Sequence, residues 1–414
     1  MTLIKTSVLT AVATVIKVIA GFFINKVIAL YAGPAGLALV GQLQNFSSIM
    51  MTFANGAITQ GIIKYTAEYR EDIEEKSKFF SNAIIITLTC SLVIGIFLNV
   101  FSSYLSETIL KSSEYSSVFI IFGFTIILFS LNTLLMSILN GEKEIKKFII
   151  VNILSNLILL LITSLLIYSF GLIGALYALV TNQSLIFFVT LSFVLKSSWF
   201  NFKYFKKGFD KKNAIKLGKY SLMALTTAIT LPVSHLIIRN YIGETISWDA
   251  AGYWQGIWYI SSMYLMVITA SLSVYYLPRL SEIKNNKELK KEIINGYKII
   301  IPIVTILALG IYLFRELIVT IAFSEKFIPM LNLFKWQLIG DVIKIISWLL
   351  SYVLLAKAMT RIFIYTEILF NTSFVIGAYI FIKYFGLIGI TYAYSLNYLL
   401  YLAMMVYIFR KKFI

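Results

Sequence analysis

Long apolar stretches alternate with short polar segments along the whole chain. A helix needs about 20 apolar residues to cross a bilayer, and on that basis the pattern predicts twelve transmembrane helices. They are expected near residues 6–31, 36–63, 80–104, 116–141, 148–169, 173–195, 217–242, 251–278, 297–321, 332–356, 362–383 and 387–408. Strict two-residue alternation of apolar and polar positions, the mark of an outer-membrane barrel, does not occur. The predicted fold class is therefore an all-α polytopic membrane protein.

Composition excludes several other classes of protein. Of the 414 residues, 59% are hydrophobic and 13% are charged, a balance that a water-soluble domain of this length does not tolerate. One cysteine, Cys90, and one histidine, His235, are too few for a disulfide framework or a Cys/His metal site. The chain has no G-x-x-x-x-G-K-[ST] loop for ATP phosphates. We therefore expect no metal and no cofactor.

The formal net charge of +17 indicates membrane topology rather than binding to nucleic acid. The basic residues stand in short loops between apolar spans and do not line one soluble face. With a cytoplasmic N-terminus, most of the 36 Lys and Arg fall on the cytoplasmic side, and the outer loops hold Lys111, Lys326 and Lys383. The positive-inside rule thus predicts a multi-pass protein with both termini in the cytoplasm.

An internal repeat divides the predicted helices into two sets of six. The segment FGLIGALYALVTN from Phe170 matches FGLIGITYAYSLN from Phe385, and we call the offset that aligns these two segments the repeat register. We predict an N-terminal six-helix lobe over residues 1–195, a basic cytoplasmic linker on the inner leaflet over 196–216, and a C-terminal six-helix lobe over 217–414. Two such lobes, related as parallel repeats around a central cavity, are typical of transporters.

One predicted helix, within residues 335–361, carries charges inside its apolar sequence. Gln337, Asp341 and Lys344 follow one another at steps of four and three, so they share one face. A charge inside the membrane is costly, and such a face therefore indicates a functional site. Asp341 and Lys344 are predicted to pair with each other, and an ion pair with a purely structural role is the alternative interpretation.

Basic residues within the predicted spans indicate that the cavity binds an anion. These candidates are Lys17 and Lys344 near mid-membrane, with Arg239, Lys335 and Arg315 nearer the outer side. For Arg315 and Lys335, a side chain that reaches out to the membrane surface is an equally good interpretation. Asp341 is expected to be the only acid at comparable depth, so it is the candidate for coupling transport to an ion gradient.

Polar stripes on other predicted helices favour a wet cavity. Asn45 and Asn55 belong to a stripe on the second helix, and Gln255 belongs to a stripe on the eighth. Hydrogen bonding between helices is the alternative interpretation of each stripe. The second and eighth helices occupy equivalent places in the two halves, and for that reason we favour the cavity.

Several long stretches resemble the Wzx flippases. They include LMALTTAITLP from Leu222, SWDAAGYWQG from Ser247, LFKWQLIGDVIK from Leu333 and AKAMTRIFIYTE from Ala356. The resemblance implies the fold of the multidrug/oligosaccharidyl-lipid/polysaccharide exporters, with alternating access. It also implies a cargo, an undecaprenyl-pyrophosphate-linked oligosaccharide such as a unit of enterobacterial common antigen or O antigen. The cargo would move from the cytoplasmic to the periplasmic leaflet of the bacterial inner membrane, with coupling to an ion gradient.

The resemblance also assigns chemistry to side chains. The cations would bind the pyrophosphate. The sugars would contact Trp248, Trp254, Gln255, Trp258, Trp336 and Gln337, together with the asparagines of the second helix. Glycan polymerase and chain-length proteins are the implied protein partners. Two rival functions are a multidrug cation antiporter of the same superfamily and a membrane oligosaccharide polymerase. The antiporter would favour an acidic cavity. The polymerase would need carboxylates and a sizeable outer loop for its chemistry. The two acidic pairs in the outer loops, Glu107 with Glu114 and Glu244 with Asp249, are expected to be solvated charges instead.

Overall fold

The computed structural model describes the backbone of residues 3–413 and the side chains of residues 13–410 except 219, 220, 222, 223, 271 and 274. The α-helices in chain order are α1 Leu3–Ala54, α2 Thr59–Glu68, α3 Ile73–Val100, α4 Ser102–Leu110, α5 Ser116–Gly141, α6 Ile145–Leu195, α7 Lys211–Thr245, α8 Trp248–Ser271, α9 Leu277–Glu282, α10 Asn286–Leu313, α11 Arg315–Ala322, α12 Phe334–Ala356, α13 Thr360–Phe385 and α14 Gly389–Phe413. A π-helical turn, Leu272–Tyr276, joins α8 to α9, and short 3₁₀ segments lie between other helices. The described backbone forms no strand, and the all-α prediction is confirmed.

Seven helical stretches in the described chain are long and apolar enough to cross a membrane. Three of them, Ala13–Ala54, Ile145–Leu195 and Thr360–Arg410, each contain two predicted spans. The more polar α7 and α8 account for the seventh and eighth predicted spans. The second span was predicted to reach residue 63 but ends at Ala54, because positive φ values at Gly56 and Ala57 break the helix before α2.

The repeated FGLIG motif forms the same turn in both copies. Gly171 and Gly386 interrupt the helices with φ of 59° and 62°, values that glycine adopts without a steric cost. Further along each motif, Gly174 and Gly389 lie against the preceding helix. A Cβ at these positions would lie 1.9 Å from the Leu166 carbonyl oxygen and 2.1 Å from that of Phe381. The sequence repeat is therefore also a repeat of backbone geometry.

Other pairs of positions that correspond in the repeat register also match in structure. Asn156 donates to the carbonyl of Asn152 at 2.7 Å, and Asn371 donates to that of Glu367 at 2.8 Å. The turn before α6 has a positive φ at Lys143, as the turn before α13 has at Ala358. The repeat register thus relates α5, α6 and their connection to α12, α13 and α14.

By contacts between residues, the chain forms two compact units. The first unit comprises Met1–Ala32 and Leu39–Pro232, and the second comprises Gly33–Ala38 and Val233–Ile414. The lobe boundaries predicted from the repeat, at residues 195 and 217, stay predictions.

The segment predicted as a linker packs within the first unit. Trp199 and Phe205 contact Phe80 with ring centroids 6.2 and 5.4 Å away, and the Asp210 amide donates to Asn82 Oδ1 at 3.0 Å. These two aromatic side chains, expected in the membrane interface, lie against protein instead. Their apolar area is covered by the buried cluster around Phe80, which also contains Leu217 of α7.

In the second unit, a short piece of α1 is held by the start of α8. Gly33 has φ of 66° and breaks α1, and the next free backbone amide, that of Ala35, donates to Asp249 Oδ1 at 3.0 Å. Gly252 lies so close that a Cβ would come within 1.9 Å of the Pro34 carbonyl oxygen. Asp249, expected to be merely solvated, therefore caps the helical segment that follows Gly33.

Candidate functional site

Asp341 lies buried in the second unit, on α12. The hydroxyls of Tyr394 and Tyr264 donate to its two carboxylate oxygens at 2.8 and 2.9 Å, and Gln337 Nε2 lies 3.5 Å from Oδ1. Asp341 and Gln337 have no exposed surface. The predicted face of α12 therefore does turn inward, because tyrosines from α8 and α14 supply the donors that a buried carboxylate requires.

Lys344, one turn later on α12, is surrounded by aromatic rings. Its Nζ lies 4.8 Å from the ring centroid of Trp348, 5.0 Å from Trp258, 5.4 Å from Tyr398 and 6.0 Å from Tyr394. Cation–π attraction in a desolvated site is worth about 2 kcal/mol or more, so these rings stabilise the ammonium in place of water. We call Lys344 and these four rings the aromatic box.

The predicted pair of Asp341 and Lys344 forms no direct salt bridge, although the two charges attract each other. Among the described residues, Asp341 is held by tyrosine hydroxyls and Lys344 by ring faces, and no salt bridge joins the two. A spacing of three residues places two side chains on one face of a helix. It does not determine whether they bind each other or bind better-placed groups on neighbouring helices.

The expectation that Asp341 is the only deep acid is wrong. Glu367, on α13, attracts Lys344 electrostatically and accepts a hydrogen bond from Asn371 Nδ2 at 3.4 Å. It stands seven residues inside α13, in a predicted span that contains no other acid. That position alone could have marked it as a second carboxylate of the site.

Arg239, on α7, is 1% exposed and forms the other buried cation of the second unit. One guanidinium nitrogen donates to Gln255 Oε1, and the ring of Trp254 lies 5.5 Å away. His235 stacks edge-on against Trp258, with centroids 4.3 Å apart, and also contacts Trp254. Trp258 belongs to the aromatic box as well, so Arg239 and Lys344 lie at two ends of one row of aromatic side chains.

The other three predicted cations do not join this row. The Lys17 side chain, on α1, is exposed. Arg315 lies over the ring of Tyr312 and donates to its carbonyl at 2.8 Å, beside Glu316. Lys335 is exposed next to Trp336 and lines an apolar groove of about 410 Å³ with residues of α10 and α12.

Some of the residues predicted to contact the sugars lie beside the buried charges, and others do not. Trp254, Gln255 and Gln337 are buried in the second unit beside Arg239 and Asp341. Trp248 is half-buried over Gly243, and Trp336 is 36% exposed with its ring edge-on to Tyr392. Asn45, half-buried, and Asn55, buried, belong to the first unit.

Sequence reasoning missed the tyrosines that complete the site. Tyr394 and Tyr398 are four residues apart on α14, and Tyr264 stands on α8. In a chain with 26 tyrosines, their hydropathy gives no signal. The spacing of four residues, which places Tyr394 and Tyr398 on one face, was the available clue.

Known proteins resemble this chain in sequence and in fold. A family model described as polysaccharide biosynthesis protein matches residues 3–284. The lipid III flippase of Escherichia coli (strain K12) is 29% identical over 404 residues, which are 98% of this chain and 97% of that protein.

Two solved structures show the same fold at low sequence identity. A multidrug resistance MATE family transporter of the MOP superfamily, inward-facing, has a TM-score of 0.81 at 15% identity and covers 97% of this chain and 94% of its own. The lipid II flippase MurJ, inward closed, has a TM-score of 0.75 at 16% identity and covers 99% of this chain and 89% of its own. The predicted all-helical transporter fold is thereby confirmed, and the predicted count of twelve helices is roughly consistent with it.

Proposed function

The chain belongs to the polysaccharide biosynthesis protein family, and on that premise we propose that it is a flippase for an undecaprenyl-pyrophosphate-linked oligosaccharide. The cargo is a unit of enterobacterial common antigen or of O antigen, as the lipid III flippase relative suggests. It passes from the cytoplasmic to the periplasmic leaflet by alternating access. The protein catalyses no covalent step.

The observation that carries this proposal is the state of Lys344. Its ammonium is buried and faces four rings, and within the described chain no hydrogen-bond acceptor or carboxylate lies in direct contact with it. Placing such a cation in apolar surroundings costs several kcal/mol, and cation–π attraction, worth about 2 kcal/mol or more for a desolvated ring, offsets part of that cost. A transient anionic partner offsets much more, and a diphosphate has the charge and the acceptor oxygens for that role.

We assign the diphosphate to the buried cations first. Lys344 and Arg239 contact it, and the exposed Lys17 and Lys335 and the half-buried Arg315 meet it before or after that contact. Asp341 couples the movement to an ion gradient, because its carboxylate is held by hydroxyl groups that can equally accept or donate when it gains a proton.

The sugars are assigned to aromatic and amide side chains. These are Trp248, Trp254, Gln255, Trp336 and Gln337 in the second unit, with Asn45 and Asn55 in the first. Ring faces pack on the apolar face of a pyranose, and amides bond its hydroxyls from both sides as donor and acceptor. The undecaprenyl chain stays in lipid.

The proposed location is the bacterial inner membrane, with both termini in the cytoplasm. The bias of Lys and Arg toward one set of loops supports this orientation. An inside-negative potential then favours outward movement of an anion by about 2.3 kcal/mol per charge for each 100 mV. Glycan polymerase and chain-length proteins act next on the displayed cargo and are the proposed partners.

A cation antiporter is the less favoured function, although a MATE transporter has a similar fold. An aromatic box is a common receptor for an organic cation. Here Lys344 already occupies that position, so a second cation would be repelled.

The test is transport of defined lipid-linked sugars in proteoliposomes under imposed pH or Na⁺ gradients. We expect the wild type to move an undecaprenyl-pyrophosphate-linked oligosaccharide across the bilayer faster when a gradient is imposed. Asp341→Asn is expected to retain cargo binding and to lose at least about tenfold of the gradient-driven rate. Gradient-driven export of a drug cation, with no movement of the lipid-linked sugar, would replace the flippase assignment by the antiporter.

A further inference from the structure

A second polar site lies inside the first unit, among α1, α2, α5 and α6. Two adjoining cavities of about 300 and 420 Å³ share Phe129 and Gln183 in their walls. Both volumes fall within the range of small-molecule sites. Seven amide residues line them, and five of these are Asn55, Asn132, Asn152, Asn182 and Gln183. We call these five amides together with Phe129 the amide pocket.

The chemistry of the amide pocket is neutral throughout. Among the described residues that line the two cavities, amides and hydroxyls supply the polar groups, and no charged side chain is present. An amide carries both donors and acceptors, which matches a hydroxyl or acetamido group better than it matches an ion. Asn132 already donates to Gln183 Oε1 at 3.0 Å and Asn152 to the Phe148 carbonyl at 2.9 Å, so these amides have their second N–H and remaining lone pairs for a guest. Phe129 adds one aromatic face at the place where the two cavities meet.

Three residues in the wall of the larger cavity carry buried polar atoms that have no hydrogen-bond partner in the protein. The atoms are Oδ1 of Asn55, Oδ1 of Asn182 and Oγ of Ser47. The three residues are 9%, 4% and 1% exposed. A buried polar group without a partner costs about 1–3 kcal/mol, so a cluster of three indicates that a polar guest supplies the missing bonds.

The internal repeat shows what is particular to this pocket. In the repeat register, Phe129 stands where the second unit has Lys344, and Gln183 stands where it has Tyr398. Asn152 likewise stands in the place of Glu367. The same backbone positions that hold the aromatic box and its acid in the second unit therefore hold an uncharged wall in the first.

The repeat also explains why the Asn182 oxygen lacks a partner. Its counterpart, Asn397 Oδ1, accepts a hydrogen bond from the Ser373 hydroxyl at 2.5 Å. The residue that corresponds to Ser373 in the first unit is Ile158, which cannot donate. Asn397 Oδ1 therefore has a hydrogen-bond partner within the protein, whereas Asn182 Oδ1 has none and is left for a ligand.

We propose that the amide pocket binds an uncharged pyranose of the cargo, through its hydroxyl and acetamido groups, with Phe129 against the ring. This inference rests on the proposed flippase function and deepens it. The amide pocket adds selectivity for one sugar to the glycan contacts proposed in the second unit, whereas the cations of the second unit bind the diphosphate that every such carrier shares. The pocket is therefore a specificity site, separate from the site for the anion.

The test compares two probes on the purified full-length protein in lipid nanodiscs, with binding measured by native mass spectrometry. One probe is undecaprenyl diphosphate carrying a single N-acetylglucosamine, and the other is undecaprenyl diphosphate alone. We expect Asn182→Leu to weaken binding of the glycosylated probe by about tenfold, the value of one hydrogen bond to a buried amide. Binding of the bare carrier should stay at the wild-type level.

A second variant tests the same oxygen without removing it. Ile158→Ser supplies the donor that Ser373 provides in the other unit, and we expect it to compete with the sugar and lower only the affinity for the glycosylated probe. Ser373→Ile is the matched control and should leave the ratio of the two affinities unchanged.

The outcomes distinguish failure of the amide-pocket proposal from failure of the flippase proposal. If both probes bind the wild type and each variant changes them equally or not at all, the amide pocket is not a sugar site, and the flippase proposal stands. If the wild type binds neither probe, the flippase proposal fails and this inference fails with it.

Discussion

The two units place different chemistry on matching backbones. In the second, α12 and α14 carry Lys344 and Tyr398 at the positions where α5 and α6 of the first carry Phe129 and Gln183. The FGLIG turns and their close-packed glycines remain alike in both. Duplication therefore preserved what the backbone requires, while the side chains that face inward diverged into a charged aromatic site and a neutral amide site.

The strongest way to break this comparison is to make the second unit resemble the first. Lys344→Phe installs the residue found at position 129, and we expect it to reduce transport of a lipid-linked oligosaccharide in proteoliposomes by at least about 100-fold, because a buried charge that binds a diphosphate is worth about 3 kcal/mol or more. Lys344→Arg keeps the charge and should retain a measurable rate. Equal loss in both variants would mean that packing, rather than charge, is what position 344 supplies.

The next largest effect should appear in both units at once. Gly174→Ala and Gly389→Ala each drive a Cβ into a backbone carbonyl, at 1.9 and 2.1 Å, and we expect each to destabilise the protein by at least about 2 kcal/mol. Thermal unfolding in detergent measures this loss. Gly218→Ala, where nothing lies within 4 Å of the added methyl, is the matched control and should leave the melting temperature within a few degrees.

If only one of the two FGLIG glycines proved sensitive, the structural equivalence of the two turns would be lost. The repeat register would then describe the sequence and not the packing.

A smaller effect is expected from the acid that the sequence interpretation overlooked. Glu367→Asn installs the residue of position 152 and removes an attraction on Lys344 without touching the aromatic box. We expect a loss of about threefold to tenfold in transport rate, since the pair interacts through space and not by a direct salt bridge. Glu367→Gln should behave in the same way, and a rate unchanged in both would remove Glu367 from the site.

The smallest effect is expected at Lys17. Its side chain is exposed in the first unit, so Lys17→Ala should change the transport rate by less than about twofold at saturating cargo. The same assay at low and high salt checks this, because an exposed cation acts mainly through screened attraction. A tenfold loss would instead show that Lys17 contributes as much to transport as a buried cation does.

The fold was largely predictable because its signals are local. Apolar length set the helices, and the FGLIG repeat located the two turns where Gly171 and Gly386 adopt a positive φ. The end of the second span was misplaced because Gly56 and Ala57 break the helix in an apolar sequence that hydropathy alone would continue.

The site was predictable only in part because its contacts join distant helices. The stripe on α12 correctly placed Gln337, Asp341 and Lys344 on a buried face. The donors to Asp341 come from α8 and α14, 77 and 53 residues away along the chain, and no spacing within α12 reveals them. Of the amide pocket, the sequence analysis named only Asn55. The amides on α5 and α6 could not be told from interhelical hydrogen-bonding residues until the oxygens without partners were located.

The placement of Gly33–Ala38 has a consequence for how the protein is made. This short segment is synthesised near the start of the chain, yet it belongs to the unit that is otherwise built from Val233–Ile414. Asp249 and Gly252 therefore bind a segment that was synthesised long before they were. If the gene were divided between the halves, the C-terminal product would lack Gly33–Ala38, which is part of its own compact unit. The C-terminal half is therefore not a complete folding unit by itself.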